Sequence, residues 1–314
     1  MVSPGWFGCD EPAAVSAGEM QIRSPGRYHN HECRVRSVGS SFQQAILRAR
    51  QGVADQTDVA DVYGLRREHY ASAHKIQRSR RGGRFYCPVC GSTSAVFGSF
   101  AGRRHARCPH CGSLERHRWL WSVAQGDPAS RRLGTRLLHV APEPAIAHAL
   151  DRHWQGMRVS VDAFDPDVDV RADLTALPFA SAYVDVILCS HVLEHIEDDA
   201  TALSELYRVL KPGGRAYLMV PIARKLAVTY EDPTVTVPAE RAIAFGHPYH
   251  VRICGRDYGD RVRAAGFTVA EQDAARLSRH QRRWARLNKA ILYLATKPGI
   301  GASITAGHKP IPVS

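Results

Sequence analysis

Four cysteines near residue 100 are spaced for binding a metal ion. They form two Cys-x-x-Cys pairs separated by seventeen residues, and a glycine follows the second cysteine of each pair: Cys87, Cys90, Cys108 and Cys111. Glycine permits the sharp turn that lets one short loop present two thiolates. Four sulfur ligands complete a tetrahedral zinc site and leave no open position, so the spacing predicts a structural zinc ion in a ribbon over residues 81–122. The alternative is four unligated cysteines or a redox pair.

Histidines form the second group of residues whose type and spacing could support catalysis or metal binding. His191 to His195 read H-V-L-E-H, which matches the H-x-x-E-H pattern of one group of zinc proteases. That pattern needs a long helix around both histidines, whereas here a β-branched run precedes it and an acidic stretch follows, which disfavours a protease. Simple packing of histidines at a strand end is another alternative. His247 and His250 lie in a long polar connection, residues 222–256, of the kind that forms a lid or binding loop.

The elements around H-V-L-E-H form a strand–helix–strand unit. Residues 184–189 are an apolar run of strand length, and apolar residues at spacings of three and four form a helical stripe over 202–210. The K-P-G-G sequence at 211–214 is expected to end that helix, and 216–220 is a second apolar run. Such a unit predicts parallel strands in a sheet with helices on its faces.

Further runs predict more strands of the same sheet, at residues 157–162, 168–174 and 290–296. The first of these ends at Asp162, about twenty residues past the loop at which a nucleotide-binding fold usually has glycines. This chain has A-P-E-P in that loop instead. An acid at the end of the second strand hydrogen-bonds ribose hydroxyls in nucleotide-binding βαβ folds, so Asp162 is predicted to contact a nucleoside. The predicted fold class is α/β with a doubly wound sheet.

The composition of the 314 residues is that of an ordinary globular protein, with 44% hydrophobic and 23% charged residues and a net charge of +12. The first 120 residues hold 18 Lys+Arg against 9 Asp+Glu, so most of the excess lies there. A basic surface attracts phosphate or nucleic acid, although it is more often only a solvated face. Residues 1–80 are expected to form a basic extension, disordered and then helical. No apolar run spans a membrane and no signal-peptide order is present, so a cytoplasmic protein is expected.

The motifs together resemble known enzymes. H-x-L-E-H at a strand end, followed by L-x-R-V-L-K-P-G-G before the next strand, resembles the class I S-adenosylmethionine-dependent methyltransferases. With C-P-x-C-G-S-L-E-R-H-R, L-L-H-V-A-P-E-P, T-Y-E-D-P-T and H-V-R-x-x-G-R-D-Y added, residues 85–296 are similar to a bacterial family that carries an N-terminal zinc ribbon. That resemblance implies a Rossmann-like, seven-stranded sheet in residues 123–314, with 222–256 as a substrate-side insertion. A-P-E is what this family has in the first loop, whereas Tyr249 stands where an acid is more usual.

The resemblance also implies that S-adenosylmethionine binds at the carboxyl ends of the strands. Asp173 resembles the acid that reads the adenine amino group. Glu143 is expected to receive the ammonium of the methionine moiety, or else to cap the helix that follows it. With Asp162, the remaining expected cofactor-binding residues are Ala141, Leu174, Ser190 and His191.

Methyl transfer defines what the histidines are expected to do. The sulfonium makes its methyl group electrophilic, so the enzyme mainly aligns a nucleophile with it. A hydroxyl nucleophile must also lose its proton, and histidine is a suitable base near neutral pH, which makes His250, then His247 and His195, the candidates. The expected function is O-methylation of a small molecule or glycan. Two alternatives stay open: an RNA methyltransferase that grips phosphates with the ribbon and the basic N-terminal region, and a non-catalytic zinc-ribbon binding module.

Overall fold

The computed structural model describes residues 84–131 and 134–299, so the expectations for residues 1–80 lie outside the described part of the chain. The described residues begin with two small antiparallel hairpins, in which β1 pairs with β2 and β3 with β4. Helix α1 follows them and leads into the large sheet. These elements are β1 (Phe85–Cys87), β2 (Ser92–Ser94), β3 (Gly98–Phe100), β4 (Arg103–Arg107) and α1 (Glu115–Gly126).

A seven-stranded sheet is the main element of the rest of the described chain, as predicted. Its strand order is β12-β13-β9-β8-β5-β6-β7, and β5 to β9 run parallel while β13 is antiparallel to both of its neighbours. The strands are β5 (Arg136–Val140), β6 (Met157–Asp162), β7 (Val170–Arg171), β8 (Val184–Ser190), β9 (Leu210–Met219), β12 (Thr268–Asp273) and β13 (Ile291–Thr296). The connecting helices are α2 (Pro144–His153), α3 (Asp199–Val209), α4 (Pro238–Phe245), α5 (Tyr258–Ala264) and α6 (Arg279–Trp284).

Both faces of the sheet are covered, because its central strands are apolar on both sides. Along β8, Ile187 and Cys189 belong to one buried cluster, which includes the apolar stripe of α3. Val186 and Leu188, which point the other way, belong to a second cluster that includes residues of α1 and α2. Helices on both faces make the sheet doubly wound.

The two hairpins share the second cluster with the sheet. Phe85 and Phe97 pack in the same buried group as Trp119 of α1 and Leu292 of β13. The side chain of Arg118 joins the same parts of the chain. Its guanidinium is fully buried and donates to four backbone oxygens, those of Ala106 (3.0 Å), Ser113 (2.6 Å), Ala285 (2.8 Å) and Arg286 (2.7 Å).

Two sequence predictions of strand limits were wrong. Strand β9 was expected to start at residue 216, after K-P-G-G, but it starts at Leu210 and contains that segment. The pairing of β8 with β9 is irregular there, with a register shift between Val184 and Val186. Gly213 has φ +77° and donates to Lys297 O at 2.8 Å, so the end of β13 stabilises the turn. The predicted strand 168–174 pairs over Val170–Arg171 alone, at the edge of the sheet.

The long insertion after β9 has structure of its own. It contains the short antiparallel pair β10 (Tyr230–Glu231) and β11 (Arg252–Ile253), with α4 between them. Among the helices of residues 84–131 and 134–299, none combines the length and the apolar character needed to cross a membrane.

Candidate active site

The predicted cofactor residues lie together at the carboxyl ends of β5, β6, β7 and β8. These strands are parallel, so their ends share one edge of the sheet. Ala141, directly after β5, donates its N–H to Val161 O of β6 at 2.8 Å, and the N–H of Ala172 after β7 reaches Asp162 O at 3.2 Å. Asp173 follows one residue later. The two acids predicted to hold a nucleoside therefore sit on neighbouring strand ends.

Two residues at this edge adopt a backbone conformation that favours glycine. Ala141 has φ +47° and His191, directly after β8, has φ +56°. Each conformation costs an L residue roughly 1–2 kcal/mol, so the surrounding contacts must maintain it. At His191 one such contact is the bond from its N–H to Met219 O at 2.8 Å. The A-P-E-P loop thus keeps the backbone shape of a glycine-containing loop without the glycine.

Each of the two acids uses one carboxylate oxygen within its own loop. Asp162 Oδ1 accepts from the N–H groups of Phe164 (2.7 Å) and Asp165 (3.0 Å). Asp173 Oδ1 accepts from the N–H (2.9 Å) and the hydroxyl (2.8 Å) of Thr175. These bonds fix both carboxylates at the strand ends. Leu174, beside Asp173, is buried in the first cluster and anchors that loop.

Glu143 does not cap the following helix through its side chain. Instead its Oε1 lies 3.1 Å from Arg116 Nε and 3.0 Å from His117 Nε2, both on α1. Burial raises the pKa of the Glu143 carboxyl, but His117 and Arg116 outweigh it and hold that pKa well below its ordinary value. His117 Nδ1 accepts from Leu114 N–H at 3.2 Å, so its Nε2 carries the proton that faces Glu143. Arg116 and His117 lie in the S-L-E-R-H-R motif, but no pattern in the sequence indicates that they contact Glu143.

His139 on β5 is a second buried histidine near this carboxylate. Burial lowers its pKa to about 4, so the ring is neutral near pH 7. Its Nδ1 is buried without a hydrogen-bond partner among the described residues.

Beside the end of β8, a buried carboxylate supports two histidines. Glu194 is fully buried, with its Oε1 3.2 Å from His191 Nδ1 and 3.9 Å from His195 Nε2. Burial raises the pKa of Glu194, but these two histidines lower it below its ordinary value, so the group is a carboxylate. The hydroxyl of Ser190 is buried with no partner in the described chain. Leu193–His195 forms only a short 3-10 turn, so the long helix that a zinc protease requires is not formed here.

The three candidate bases come together. His195 lies beside His247 and His250 of the insertion, with ring centroids 5.7 and 4.8 Å away, and the latter two are 4.7 Å apart. One ring nitrogen of each lies within 4.8 Å of the others, so the group has the donor set for a divalent cation as well as for proton transfer. His195 Nδ1 lies 3.0 Å from Tyr249 O, and His247 Nδ1 accepts from Tyr249 N–H at 3.3 Å. Burial lowers the pKa of His250.

Arg252, in β11, holds the insertion against the histidine-bearing turn. It is buried, and its Nη1 donates to Leu193 O (2.7 Å) and Ile196 O (2.5 Å). Its Nε donates to Glu231 of β10 at 2.5 Å, and Val251 N–H reaches Glu194 O at 3.0 Å. Through these bonds two segments that are distant in the sequence carry one histidine cluster.

Comparison with known proteins identifies methyltransferases similar to this chain. Residues 132–218 match the protein family described as Methyltransferase domain. An uncharacterized methyltransferase of Mycobacterium avium (strain 104) is 29% identical over 194 residues, which cover 53% of this chain and 73% of the relative. One of Mycobacterium tuberculosis (strain ATCC 25618 / H37Rv) is 32% identical over 168 residues, 51% of this chain and 61% of the relative. The chain is a methyltransferase.

Its sheet and strand order are those of the class I, S-adenosylmethionine-dependent methyltransferases, as the resemblance implied. Among solved structures, a Burkholderia thailandensis 1,6-didemethyltoxoflavin N1-methyltransferase with bound S-adenosylhomocysteine is 18% identical to this methyltransferase, with a TM-score of 0.40. That similarity covers 57% of this chain and 78% of the other. The non-catalytic alternative is not supported, because the chain is an enzyme.

The four cysteines of the hairpins also converge in the methyltransferase. Cys87 Sγ is 3.6 Å from Cys111 Sγ, Cys90 Sγ is 3.8 Å from Cys108 Sγ, and all four sulfurs lie within 4.8 Å of one another. Zinc–sulfur bonds of about 2.3 Å in a tetrahedron place sulfurs about 3.8 Å apart, whereas a disulfide needs about 2.05 Å. The described cysteines form no disulfide. The donor set and its spacing fit one tetrahedral metal ion.

Proposed function

We propose that this methyltransferase transfers a methyl group from S-adenosylmethionine to a hydroxyl of a small-molecule or glycan acceptor, with a histidine as base. The observation that carries the proposal is the convergence of His195, His247 and His250 beside the end of β8. They adjoin the strand ends at which the predicted cofactor residues meet. A base and a donor site side by side are what O-methylation requires.

The strand-end residues fit the cofactor in their polar chemistry. The unpartnered, buried hydroxyl of Ser190 has a hydrogen bond to offer a ligand, since buried polar groups are rarely left unsatisfied. We assign Asp162 to the ribose hydroxyls and Asp173 to the adenine amino group. Glu143 Oε1 already faces Arg116 and His117, so we assign its other oxygen to the methionine ammonium.

Ala141, Leu174 and His191 complete the proposed cofactor-binding set through backbone and packing contacts. The bound cofactor supplies an electrophilic methyl group, and the residues of this chain orient it and exclude water.

His250 is the proposed base. Because burial lowers its pKa, its ring is neutral near pH 7 and can accept a proton there. The buried Glu194 carboxylate attracts the imidazolium that results, which opposes the effect of burial. His247 and His195 are the alternates, since their rings lie in the same cluster.

The Cys87, Cys90, Cys108 and Cys111 cluster is the proposed structural zinc site. Four sulfur ligands leave no coordination position for a substrate, so the metal would act on stability and not on chemistry. The complete zinc–thiolate centre, with a net charge of about −2, would also balance the buried, positively charged guanidinium of Arg118, which interacts with Cys87, Cys108 and Cys111.

A His250→Gln variant tests the base. S-Adenosylhomocysteine affinity is measured by calorimetry, and turnover is followed as S-adenosylhomocysteine release with a panel of hydroxylated sugars and phenols. Loss of a general base should lower turnover by roughly 10²–10⁴-fold while leaving the affinity nearly unchanged. His153→Gln, an exposed histidine on α2, is the matched control. Unchanged turnover in His250→Gln would remove that residue from the role, and absence of S-adenosylhomocysteine binding by the unaltered protein would refute the donor site.

A further inference from the structure

A cavity of about 210 Å³ lies where the β3–β4 hairpin meets the segment that connects β12 to β13. Four arginines of that segment line it, together with His105 of β4 and Glu115 at the start of α1: Arg279, Arg282, Arg283 and Arg286. The proposed cofactor and base residues take no part in this cavity, so it is separate from the site described above.

The positive charge in the cavity is not neutralised within the described chain. Glu115 is the single carboxylate of the lining, and Arg103 already binds both of its oxygens, at 3.1 and 3.4 Å. None of the four lining arginines forms a salt bridge with another described residue. Four guanidinium groups without a carboxylate partner favour an anion between them.

Backbone contacts hold two of these arginines in place without reducing their charge. Arg282 Nη1 donates to the backbone oxygens of Ala275 and Leu277. Arg286 donates to the backbone oxygens of His105 (3.3 Å) and Arg104 (3.2 Å). The cavity is therefore preorganised, which reduces the entropy that ligand binding would otherwise cost.

Arg286 also has an unfavourable backbone conformation and an unfavourable charge environment. Its φ is +50°, and Arg118 stabilises that backbone by donating to Arg286 O. Burial lowers the pKa of Arg286, and the neighbouring Arg283 lowers it further, although Glu115 acts against both. The contacts of Arg286 thus maintain a strained backbone and two neighbouring positive charges, which points to a functional requirement.

The position of the cavity connects it with methyl transfer. β12 runs parallel to β9 and ends at Asp273, and β13 begins opposite it at Ile291. Residues 274–290 therefore lie on the same sheet edge as the ends of β5 to β8. β12 is three strands from β8, which at about 4.8 Å per strand is about 14 Å.

We propose that this arginine cavity binds a phosphate or diphosphate group carried by the methyl acceptor. The inference rests on the proposed function, since it names the class of acceptor for the same sheet edge. Guanidinium groups bind phosphate oxygens in pairs, and the acceptor must extend along the sheet edge from the cavity to the histidine cluster.

Arg279 and Arg283 are the residues to change, because both are exposed and their loss leaves the bonds of Arg282 and Arg286 intact. The double variant Arg279→Gln/Arg283→Gln is compared with Arg104→Gln/Arg276→Gln, which removes two exposed charges from the same region outside the cavity. Inorganic pyrophosphate is the probe, titrated by calorimetry in the full-length protein. We expect the first variant to bind it at least about tenfold more weakly and the control to differ by less than about twofold.

Two further titrations separate the possible failures. If S-adenosylhomocysteine binds but pyrophosphate does not, or if both variants lose pyrophosphate equally, the cavity proposal is wrong and the proposed function stands. If neither pyrophosphate nor S-adenosylhomocysteine binds, the proposed function is refuted together with the cavity proposal. A single-stranded RNA that binds with a steep salt dependence, and is lost equally in both variants, would indicate a diffuse nucleic-acid surface and overturn the proposal.

Discussion

Replacing Arg118 by methionine should destabilise the whole described domain. The substitution keeps most of the side-chain length but removes the donor for four backbone oxygens, two in the hairpin region and two before β13. Each buried acceptor left unsatisfied costs about 1–3 kcal/mol, and water will reach some of them after relaxation. Four such acceptors, with part of the cost relieved by water, give an expected loss of about 3–5 kcal/mol. That is a large part of the roughly 5–15 kcal/mol that stabilises a typical domain.

Urea denaturation followed by circular dichroism would measure this loss. Arg118→Lys keeps the charge but lacks the planar fork, so it should recover only part of the stability. Arg104→Met, an exposed arginine on the same hairpin, should change the free energy of unfolding by less than about 0.5 kcal/mol. A change below about 1 kcal/mol for Arg118→Met would show that these bonds do not join the hairpins to the sheet.

Three further predictions concern the sheet and its edge. His139 has a pKa of about 4 in the folded state and about 6.5 in the unfolded state, so the unfolded chain binds more protons between these pH values. The free energy of unfolding should therefore fall by up to roughly 3 kcal/mol as the pH drops from about 6.5 to about 4. The His139→Gln variant should lack this pH dependence. Ala141→Gly should keep S-adenosylhomocysteine affinity within about threefold, whereas Ala141→Val should weaken it at least tenfold in calorimetry, because a β-branched residue resists φ +47°. Tyr217→Phe removes the 2.6 Å bond to the buried Asp127 carboxylate and should cost about 1–3 kcal/mol in urea unfolding; no change would mean that the hydroxyl is dispensable.

Local patterns were sufficient to predict most of the sheet. Residues 157–162 form β6 within the predicted limits, and the apolar run at 184–189 forms β8 with one more residue, because strand length and β-branched content are local properties. Helix α3 ends at Val209, just before K-P-G-G, as predicted. The start of β9 was misplaced because glycine and proline are local signs of a break, whereas the pairing of β9 depends on distant residues. The third strand was overestimated for the same reason, since a sheet edge offers only one neighbour.

The site was predicted as a set of residues and not as a geometry. The histidines of H-V-L-E-H and of the insertion were each candidates for a base, but no pattern in the sequence shows that Arg252 brings them together. The loss of glycine from the first loop suggested a departure, yet the structure accommodates Ala141 at positive φ. The contact of Glu143 with α1 joins residues 26 and 27 positions apart, beyond the reach of periodicity arguments.

The shared packing of the hairpins and the sheet has a consequence for how this enzyme melts. Phe85, Phe97, Trp119 and Leu292 belong to one buried apolar cluster, so within the described residues the two hairpins share their core with the sheet and should not unfold separately from it. Calorimetric heating should therefore show a single cooperative peak for both parts. A variant truncated to begin near α1 would expose this apolar surface to water and aggregate, so the sheet should not fold without the hairpins.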